Sequence, residues 1–239
     1  MIAIFNSLIK DVMSNFHLTA LLPIQKEFPH YLPNRNFLPF NGKPMYQYMI
    51  EKLLKFDQFE SIVINTDSEE VKEYCKWNGK LRVIDRPKHL IGEDVKSDQI
   101  TAYTLEKISG EHFIEIQSFN PLVTHFTIES FIKMYIDFIV PGEYYDSVFS
   151  IQRYELRNFD IDKMEMRDDF PFSIIENGIL YGFNRTTFRK HQKKLGKMVM
   201  LSDVKEIENT LLDSETNYEL TKLVFANQDK FPAIFHSGV

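Results

Sequence analysis

The sequence predicts an α/β fold in which a mostly parallel central sheet carries helices on both faces. Short apolar runs rich in branched residues alternate with longer amphipathic runs through the first half of the chain. Parallel neighbouring strands need long crossover connections, which helices usually supply, so this alternation is typical of βαβ units. Because an open parallel sheet binds ligands beyond the carboxyl ends of its strands, the fold class also predicts where a site lies.

Three strands and two helices are predicted between residues 19 and 85. The strands cover residues 19–24, 61–66 and 81–85. The helices between them cover residues 43–56 and 68–77. Asn41 and Gly42 form a turn signal before the first helix, and Pro44 suits its first helical position. Asp67 and Glu70 read as a capping box that begins the second helix.

The rest of the chain is predicted to continue the same domain. Helices are expected at about residues 97–108, 127–140 and 215–226. Strands are expected at residues 112–117, 146–154 and 177–184. A charged segment at residues 155–169 separates the last two strands, and the sequence contains no internal repeat. Residues 19–239 are therefore interpreted as one domain with an excursion at about 141–175.

The first 18 residues are interpreted as an N-terminal extension. Their apolar side chains recur at helical spacing, which predicts an amphipathic helix. They are Ile2, Phe5, Leu8, Ile9, Val12 and Phe16. An equally open alternative is that Met13 is the working start and that the first twelve residues belong to an over-long gene prediction.

Composition and charge argue against several classes of protein. The formal net charge of −6 is unsuited to a surface that binds nucleic acid or an acidic membrane. The single cysteine, Cys75, rules out an internal disulfide framework, so we predict an unreactive thiol and a cytoplasmic protein. No apolar run approaches the ~20 residues of a membrane-spanning helix, so no membrane span is expected.

Four loops follow the predicted strands and should meet at one edge of the sheet. They are residues 25–36, 66–68, 85–97 and 117–122. The first loop carries Lys26 and Arg35, and the third carries Arg86. The fourth offers Gln117 and Asn120 as neutral hydrogen-bond donors. Two basic loops beside one crevice suit a polyphosphate.

Five segments of the chain carry a resemblance to a known family. They read PNRNFLPFNGKPMYQYMIEKLL, IVINTDSEEVKEY, VIDRPKHLIGEDVKS, IQSFNPL and LLDSETNYELTKLVF. Their order and spacing, over roughly residues 19–225, resemble the N-acylneuraminate cytidylyltransferase family, whose members activate sialic acids and related nonulosonic or octulosonic acids. The resemblance implies the nucleotide-diphospho-sugar transferase fold, of the glycosyltransferase-A kind, in a protein that is usually a homodimer.

The resemblance also implies a reaction. Such enzymes join CTP to a 2-keto sugar acid for surface glycan synthesis: the anomeric hydroxyl attacks the α-phosphate and pyrophosphate leaves. Mg²⁺ and basic side chains neutralise the negative charge, so catalysis depends on positioning and electrostatics. The alternative is a non-catalytic descendant that binds a nucleotide, a sugar or a protein partner.

Matching the chain to the family assigns a role to each candidate residue. The catalytic candidates are Arg35, which replaces the family's lysine, and Lys26, which could stand in for a missing arginine. The nucleotide-binding candidates are Pro23, Gln25, Asn36, Arg86 and Ser97. The substrate-binding candidates are Gln117, Asn120, Glu176 and Asn177. The candidate ligand for Mg²⁺ is Asp213.

The chain departs from the family pattern at two places. The loop after the first strand has Gln25 in place of an arginine and lacks a glycine pair, which would let backbone N–H groups approach a phosphate. At the metal motif, Leu211 replaces the first of two aspartates. Plainer roles are also open: Asp213 could cap the last helix, and Arg35 and Arg86 could be ordinary surface arginines.

Overall fold

A seven-stranded sheet forms the centre of the protein in the computed structural model, which describes residues 16–26, 32–92, 94–154, 158–160, 163–167, 173–230 and 232. The strands are β1 (Leu18–Ile24), β2 (Pro39–Phe40), β3 (Lys43–Pro44), β4 (Phe59–Thr66), β5 (Leu81–Asp85), β6 (His112–Ile116), β7 (Ser147–Tyr154), β8 (Asn158–Asp160), β9 (Glu165–Arg167), β10 (Ser173–Asn184) and β11 (Val199–Asp203). The α-helices are α1 (Met45–Leu53), α2 (Glu69–Tyr74), α3 (Ser97–Lys107), α4 (His125–Met134), α5 (Arg185–His191) and α6 (Glu215–Ala226).

The order of strands across the sheet is β11-β7-β10-β6-β1-β4-β5. Within this sheet β10 runs antiparallel to both of its neighbours, and the other paired strands are parallel. The chain passes from β1 through β4 to β5 at one edge and then returns to place β6 on the other side of β1. Strand order reverses at this point, which is where open α/β sheets bind their ligands.

The hydrophobic core lies on both faces of the sheet. On one face Leu22 of β1 belongs to a buried cluster with Met49 of α1. On the other face Leu21 belongs to a cluster with Leu105 of α3 and Phe188 of α5. Successive residues of a strand point to opposite faces, so β1 contributes to both clusters. The predicted arrangement of helices on both faces is confirmed.

Two predicted helix starts in the first half of the chain are wrong. Helix α1 begins at Met45, so Pro44 is the residue before it and not the first helical residue. Helix α2 is capped by Ser68, whose Oγ accepts from the backbone N–H of Val71 at 3.4 Å. Asp67 is not the cap because its Oδ1 accepts from the backbone N–H of Lys26 at 2.8 Å. A contact between two loops therefore replaces the predicted capping box.

The last helix also begins one residue later than a cap at Asp213 would require. Ser214 caps α6, and its Oγ accepts from the backbone N–H of Asn217 at 3.2 Å. The Asp213 carboxylate accepts instead from the side-chain Nδ2 of Asn217 at 2.7 Å. The helix itself ends where predicted.

The structure also contains two elements that the sequence analysis left unassigned. Helix α5 follows β10 directly, and the Asn184 side chain caps it by accepting from the backbone N–H of Thr187 at 2.7 Å. Strand β11 lies at the edge of the sheet and pairs with β7. Helix α5 contains one large apolar side chain, Phe188, and most residues of the edge strand β11 are only half-buried, so neither shows a clear apolar pattern.

Other sequence predictions concern the N-terminus, the excursion and Cys75. The predicted helix over residues 2–16 lies outside the described residues except for Phe16, and Leu18, predicted to end the extension, is the first residue of β1. Within the excursion, β8 and β9 form a small antiparallel ladder. No helix in the described part of the chain is long and apolar enough to cross a membrane. Burial raises the pKa of the Cys75 thiol to about 11, which agrees with an unreactive role.

Gly182 of β10 lies where the core has no room for a side chain. A Cβ there would come within 2.6 Å of Cδ2 of Tyr135 and 2.8 Å of Cγ1 of Val148. Tyr135 is held in place because its hydroxyl donates to the backbone oxygen of Phe183 at 2.8 Å. We expect Gly182→Ala to lower the free energy of unfolding by about 1–3 kcal/mol, measured by urea denaturation. In the control Gly79→Ala the new Cβ meets nothing within 4 Å, so an equal loss in both variants would contradict the prediction.

Candidate functional site

A crevice of about 290 Å³ opens at the carboxyl edge of the sheet, beside the ends of β1, β5 and β6. Seven of the predicted site residues line it: Pro23, Gln25, Arg35, Asn36, Arg86, Ser97 and Gln117. The remaining lining residues are Gly92, Val95, Ile100, Phe119, Gly178 and Tyr181. Three of the four predicted loops, residues 25–36, 85–97 and 117–122, therefore line one crevice, and no residue of 66–68 is among its lining.

Arg86, directly after β5, places a buried positive charge in the crevice wall. Its side chain is only 4% exposed. Nε donates to Oδ1 of Asn65 at 2.6 Å and Nη1 donates to Oε1 of Gln25 at 3.2 Å. Burial lowers the pKa of Arg86 to about 10, against the opposite effect of the Asp67 and Glu115 charges. Arg86 is thus a cation bonded to neutral partners, an arrangement that favours an anion nearby.

Arg35 brings a second positive charge to the same crevice. It is 7% exposed, and its Nη1 donates to the backbone oxygen of Leu212 at 3.4 Å. The guanidinium lies over the ring of Phe119, with Cζ 3.6 Å from the ring centroid. Stacking on an aromatic face holds the guanidinium plane in one orientation.

The two ends of the first loop are joined by Gln25 and Asn36. Nδ2 of Asn36 donates to the backbone oxygen of Gln25 at 2.8 Å. Oγ of Ser118 donates to Oδ1 of Asn36 at 2.6 Å. Gln25, which replaces an arginine of the family pattern, uses its side-chain oxygen to hold Arg86. These amide contacts fix the loop ends and orient Arg86 although the loop has no glycine.

A buried ion pair, Glu115 with Lys194, supports another part of the wall. The two side chains are 3% and 5% exposed, and Nζ lies 2.7 Å from Oε1. Lys194 Nζ also donates to Oγ of Ser97 at 2.5 Å and lies 4.6 Å from the ring centroid of Tyr181. Nε2 of Gln117 donates to Oε1 of Glu115 at 3.0 Å. The ion pair therefore contacts three residues that line the crevice.

Two of the predicted site residues, Lys26 and Asp213, are not among the residues that line the crevice. Lys26 is exposed, with its backbone bonded to Asp67. The carboxylate of Asp213 is bonded to Asn217 in the first turn of α6. Across the described residues, no group of three or more His, Cys, Asp and Glu side chains could hold a metal ion.

The predicted substrate residues Asn120, Glu176 and Asn177 are also absent from the crevice lining. Asn120 is fully buried, and Asn177 accepts from Oγ of Ser150 at 2.5 Å. Glu176 accepts from the hydroxyl of Tyr181, so it lies one side chain away from the crevice. Burial and the bond to Glu176 raise the pKa of Tyr181, which keeps this phenol neutral.

The residues of the site that were not predicted include Glu115, Lys194 and Tyr181. Glu115 carried a usable signal, because a charged residue in the middle of an otherwise apolar strand must be paired when it is buried. Lys194 lies in a basic run that is typical of an exposed segment. Only the fold brings it to Glu115, which is 79 residues away in the chain.

Two named cytidylyltransferases are similar in sequence to parts of this chain. The 3-deoxy-manno-octulosonate cytidylyltransferase of Francisella tularensis subsp. tularensis is 30% identical over 125 residues, or 52% of this chain and 48% of that protein. The 8-amino-3,8-dideoxy-manno-octulosonate cytidylyltransferase of Shewanella frigidimarina is 25% identical over 171 residues, or 72% of this chain and 66% of that protein. The match thus spans about half the length of the first relative.

Solved structures share the fold over most of the chain. The structure of CMP:2-keto-3-deoxy-manno-octonic acid synthetase complexed with CTP matches with a TM-score of 0.66 at 12% identity, covering 89% of this chain and 100% of that one. The 4-diphosphocytidyl-2C-methyl-D-erythritol synthase of Anaerococcus prevotii matches with a TM-score of 0.64 at 11% identity, covering 90% and 99%. At this identity the likeness concerns the fold, and the predicted fold class is confirmed.

A family model spans nearly all of the domain that carries the crevice. The model for "Cytidylyltransferase" matches residues 31–230, a range that includes Arg35, Arg86 and Gln117. The resemblance found in the sequence is confirmed at the level of this family. The chain belongs to the cytidylyltransferase family.

Proposed function

We propose that this protein is a nucleotidyltransferase that joins CTP to a 2-keto sugar acid of the octulosonate type and releases pyrophosphate, for surface glycan synthesis. The observation that carries the proposal is a pair of nearly buried arginines, Arg35 and Arg86, that line one crevice in a member of the cytidylyltransferase family. Both relatives named above are cytidylyltransferases of octulosonates, which favours that class over sialic acids.

The two arginines would bind the phosphates of CTP. The hydrogen-bond partners of Arg86, Asn65 and Gln25, are both neutral, so a phosphate would supply the missing counter-charge. Attack by a hydroxyl on the α-phosphate moves negative charge onto the departing pyrophosphate. Cations that are fixed before the nucleotide binds stabilise this charge without further reorganisation. Arg35, held flat on Phe119, would act in the same way.

The sugar acid would bind beside Ser97, Gln117 and Tyr181. These residues present neutral hydrogen-bonding groups to the crevice and are held by the ion pair behind them. A sugar offers many hydroxyl groups, which pair well with such groups. Asn120, Glu176 and Asn177 would support this side from behind, with Glu176 acting through Tyr181.

We propose that Mg²⁺ is held mainly by the bound nucleotide. Mg²⁺ in nucleotide sites usually takes one or two carboxylates together with phosphates and waters. The chain offers the carboxylate of Asp213, next to the residue whose backbone oxygen contacts Arg35. When bound, the ion would neutralise phosphate charge. We propose that the chain contributes this one ligand.

Replacing Asp213 tests the metal proposal. We expect Asp213→Asn to raise the Mg²⁺ concentration needed for half-maximal activity about tenfold, because an amide oxygen is a weaker ligand than a carboxylate. Activity at saturating Mg²⁺ should change little. The measurement is a Mg²⁺ titration of pyrophosphate release, with Glu215→Gln in the same helical turn as the control. Identical titration curves for wild type and Asp213→Asn would remove Asp213 from the site.

The proposed reaction is tested directly with purified protein. CTP and Mg²⁺ are incubated with a panel that contains 3-deoxy-manno-octulosonate, its 8-amino-3,8-dideoxy analogue and N-acetylneuraminate. We expect pyrophosphate release with at least one octulosonate and little with the sialic acid. No release from any acid, beside an active relative as control, would contradict the proposal. CTP binding without release would instead support the non-catalytic alternative.

We also propose that the protein acts as a cytoplasmic homodimer. The support is the family resemblance and the single buried cysteine. Light scattering after size-exclusion chromatography would measure the mass, and a monomer at micromolar concentration would contradict the dimer.

A further inference from the structure

Four hydrogen-bond donors converge on the buried carboxylate of Glu115. Its Oε1 accepts from Nζ of Lys194 at 2.7 Å, Nε2 of Gln117 at 3.0 Å and Oγ of Ser97 at 3.2 Å. Its Oε2 accepts from Oγ1 of Thr101 at 2.7 Å. Lys194 supplies the positive charge that such a buried carboxylate requires. Ser97 and Gln117 therefore use hydrogen-bond donors on Glu115, and these donors are not available to a ligand in the crevice.

This arrangement fixes what Ser97 can offer to a ligand. A serine hydroxyl has one hydrogen to donate and two lone pairs. The hydrogen of Ser97 goes to Glu115, and one lone pair accepts from Nζ of Lys194 at 2.5 Å. Ser97 is exposed at the crevice with one lone pair left. Toward a ligand it can only accept.

The same carboxylate orients the amide of Gln117. The nitrogen end must face Glu115, because an amide oxygen in that place would oppose a carboxylate oxygen. Oε1 of Gln117 is therefore turned away from Glu115, on a side chain that lines the crevice. Ser97 and Gln117 thus both present an oxygen acceptor on this part of the wall.

We propose that Glu115, paired with Lys194, is a positioning residue that makes this wall an acceptor surface and so selects a ligand group that donates hydrogen bonds. The inference rests on the proposed function. In a pyrimidine nucleotide the selected group is the exocyclic amine of cytosine, which uracil replaces with a carbonyl oxygen. In the sugar acid it is a hydroxyl. A carbonyl facing Ser97 would oppose two acceptors and leave both unpaired.

The experiment compares the binding of CTP and UTP to the full chain by titration calorimetry, with the KM for the sugar acid measured alongside. Wild type is expected to bind CTP at least about tenfold more tightly than UTP. Glu115→Met removes both carboxylate oxygens and so frees the hydroxyl of Ser97 to donate, and the ratio should fall toward one. If Glu115 has only a structural role, the variant should bind CTP and UTP more weakly by the same factor. Glu129→Gln, an exposed change on α4, is the control that should leave the ratio unchanged.

Ser97→Ala and Gln117→Met keep the inference testable if Glu115→Met does not fold. Loss of the preference for CTP in either variant identifies the base as the selected ligand and supports the inference. An unchanged preference with a KM for the sugar acid raised about tenfold identifies a sugar hydroxyl and also supports it. If folded variants keep both the ratio and the KM of wild type, the inference is wrong. If wild type binds no nucleotide, the proposed function fails and the inference fails with it.

Discussion

Arg86→Met is expected to weaken CTP binding by about a hundredfold. The side chain is nearly buried, its partners are neutral, and it lines the crevice where we place the phosphates. Charge-assisted hydrogen bonds to phosphate contribute about 1.5–3 kcal/mol each, and a loss of about 2.7 kcal/mol corresponds to a hundredfold change in affinity. Titration calorimetry with CTP measures the effect directly.

Two further variants separate the role of Arg86 in binding from its role in folding. Arg86→Lys keeps the charge but loses the planar fork of donors, so we expect an intermediate loss of affinity. Arg82→Met removes an exposed arginine from the same strand and should leave CTP binding unchanged. Thermal unfolding of each variant shows whether it is folded. A folded Arg86→Met protein that binds CTP like wild type would place the phosphates elsewhere.

Lys194→Met is expected to lower the free energy of unfolding by about 3–5 kcal/mol. Removing one partner of a buried ion pair leaves the other as an unpaired buried charge, which is far more costly than losing the pair. Here Glu115 would be left behind, and its side chain is only 3% exposed. Urea denaturation monitored by circular dichroism measures the loss.

The matched control for Lys194 is an exposed lysine in an ion pair. Lys133 lies on α4 and bonds to Asp137 at 2.5 Å, with a side chain that is 74% exposed. Lys133→Met should change the free energy of unfolding by less than about 1 kcal/mol. The double variant Lys194→Met with Glu115→Gln should recover part of the loss, because no charge is then left unpaired. Equal effects at the two lysines would show that burial of the Glu115–Lys194 pair has little energetic consequence.

Local pattern is sufficient to predict most of the sheet. Strands β1, β4 and β5 are buried between helices, so they must be apolar nearly throughout, and the crossover helices must be amphipathic. Helix α6 was predicted equally well, since its observed range matches the predicted one. Helix α5 is missed because Phe188 is its one large apolar side chain, and strand β11 because it lies at the sheet edge with most of its residues only half-buried.

The candidate site was likewise predicted only in part. Arg35, Arg86, Ser97 and Gln117 lie on loops that the fold class brings to one edge of the sheet, and the family resemblance selected these residues within the loops. The cap predicted at Asp67 is wrong because its carboxylate accepts from the backbone of Lys26. The alternative of a cap at Asp213 is not observed, because that carboxylate accepts from the side chain of Asn217.

The sequence by itself determined the α/β class, the positions of the main strands along the chain, the family and the loops that carry the two arginines. These follow from the period of apolar residues and from motifs that are continuous in the chain. Only the tertiary structure decided which polar groups pair with one another. Arg86 meets Gln25, and Glu115 meets Lys194, across 61 and 79 residues of chain. Such pairs depend on burial and on distances between elements, so they leave no periodic signal in the sequence.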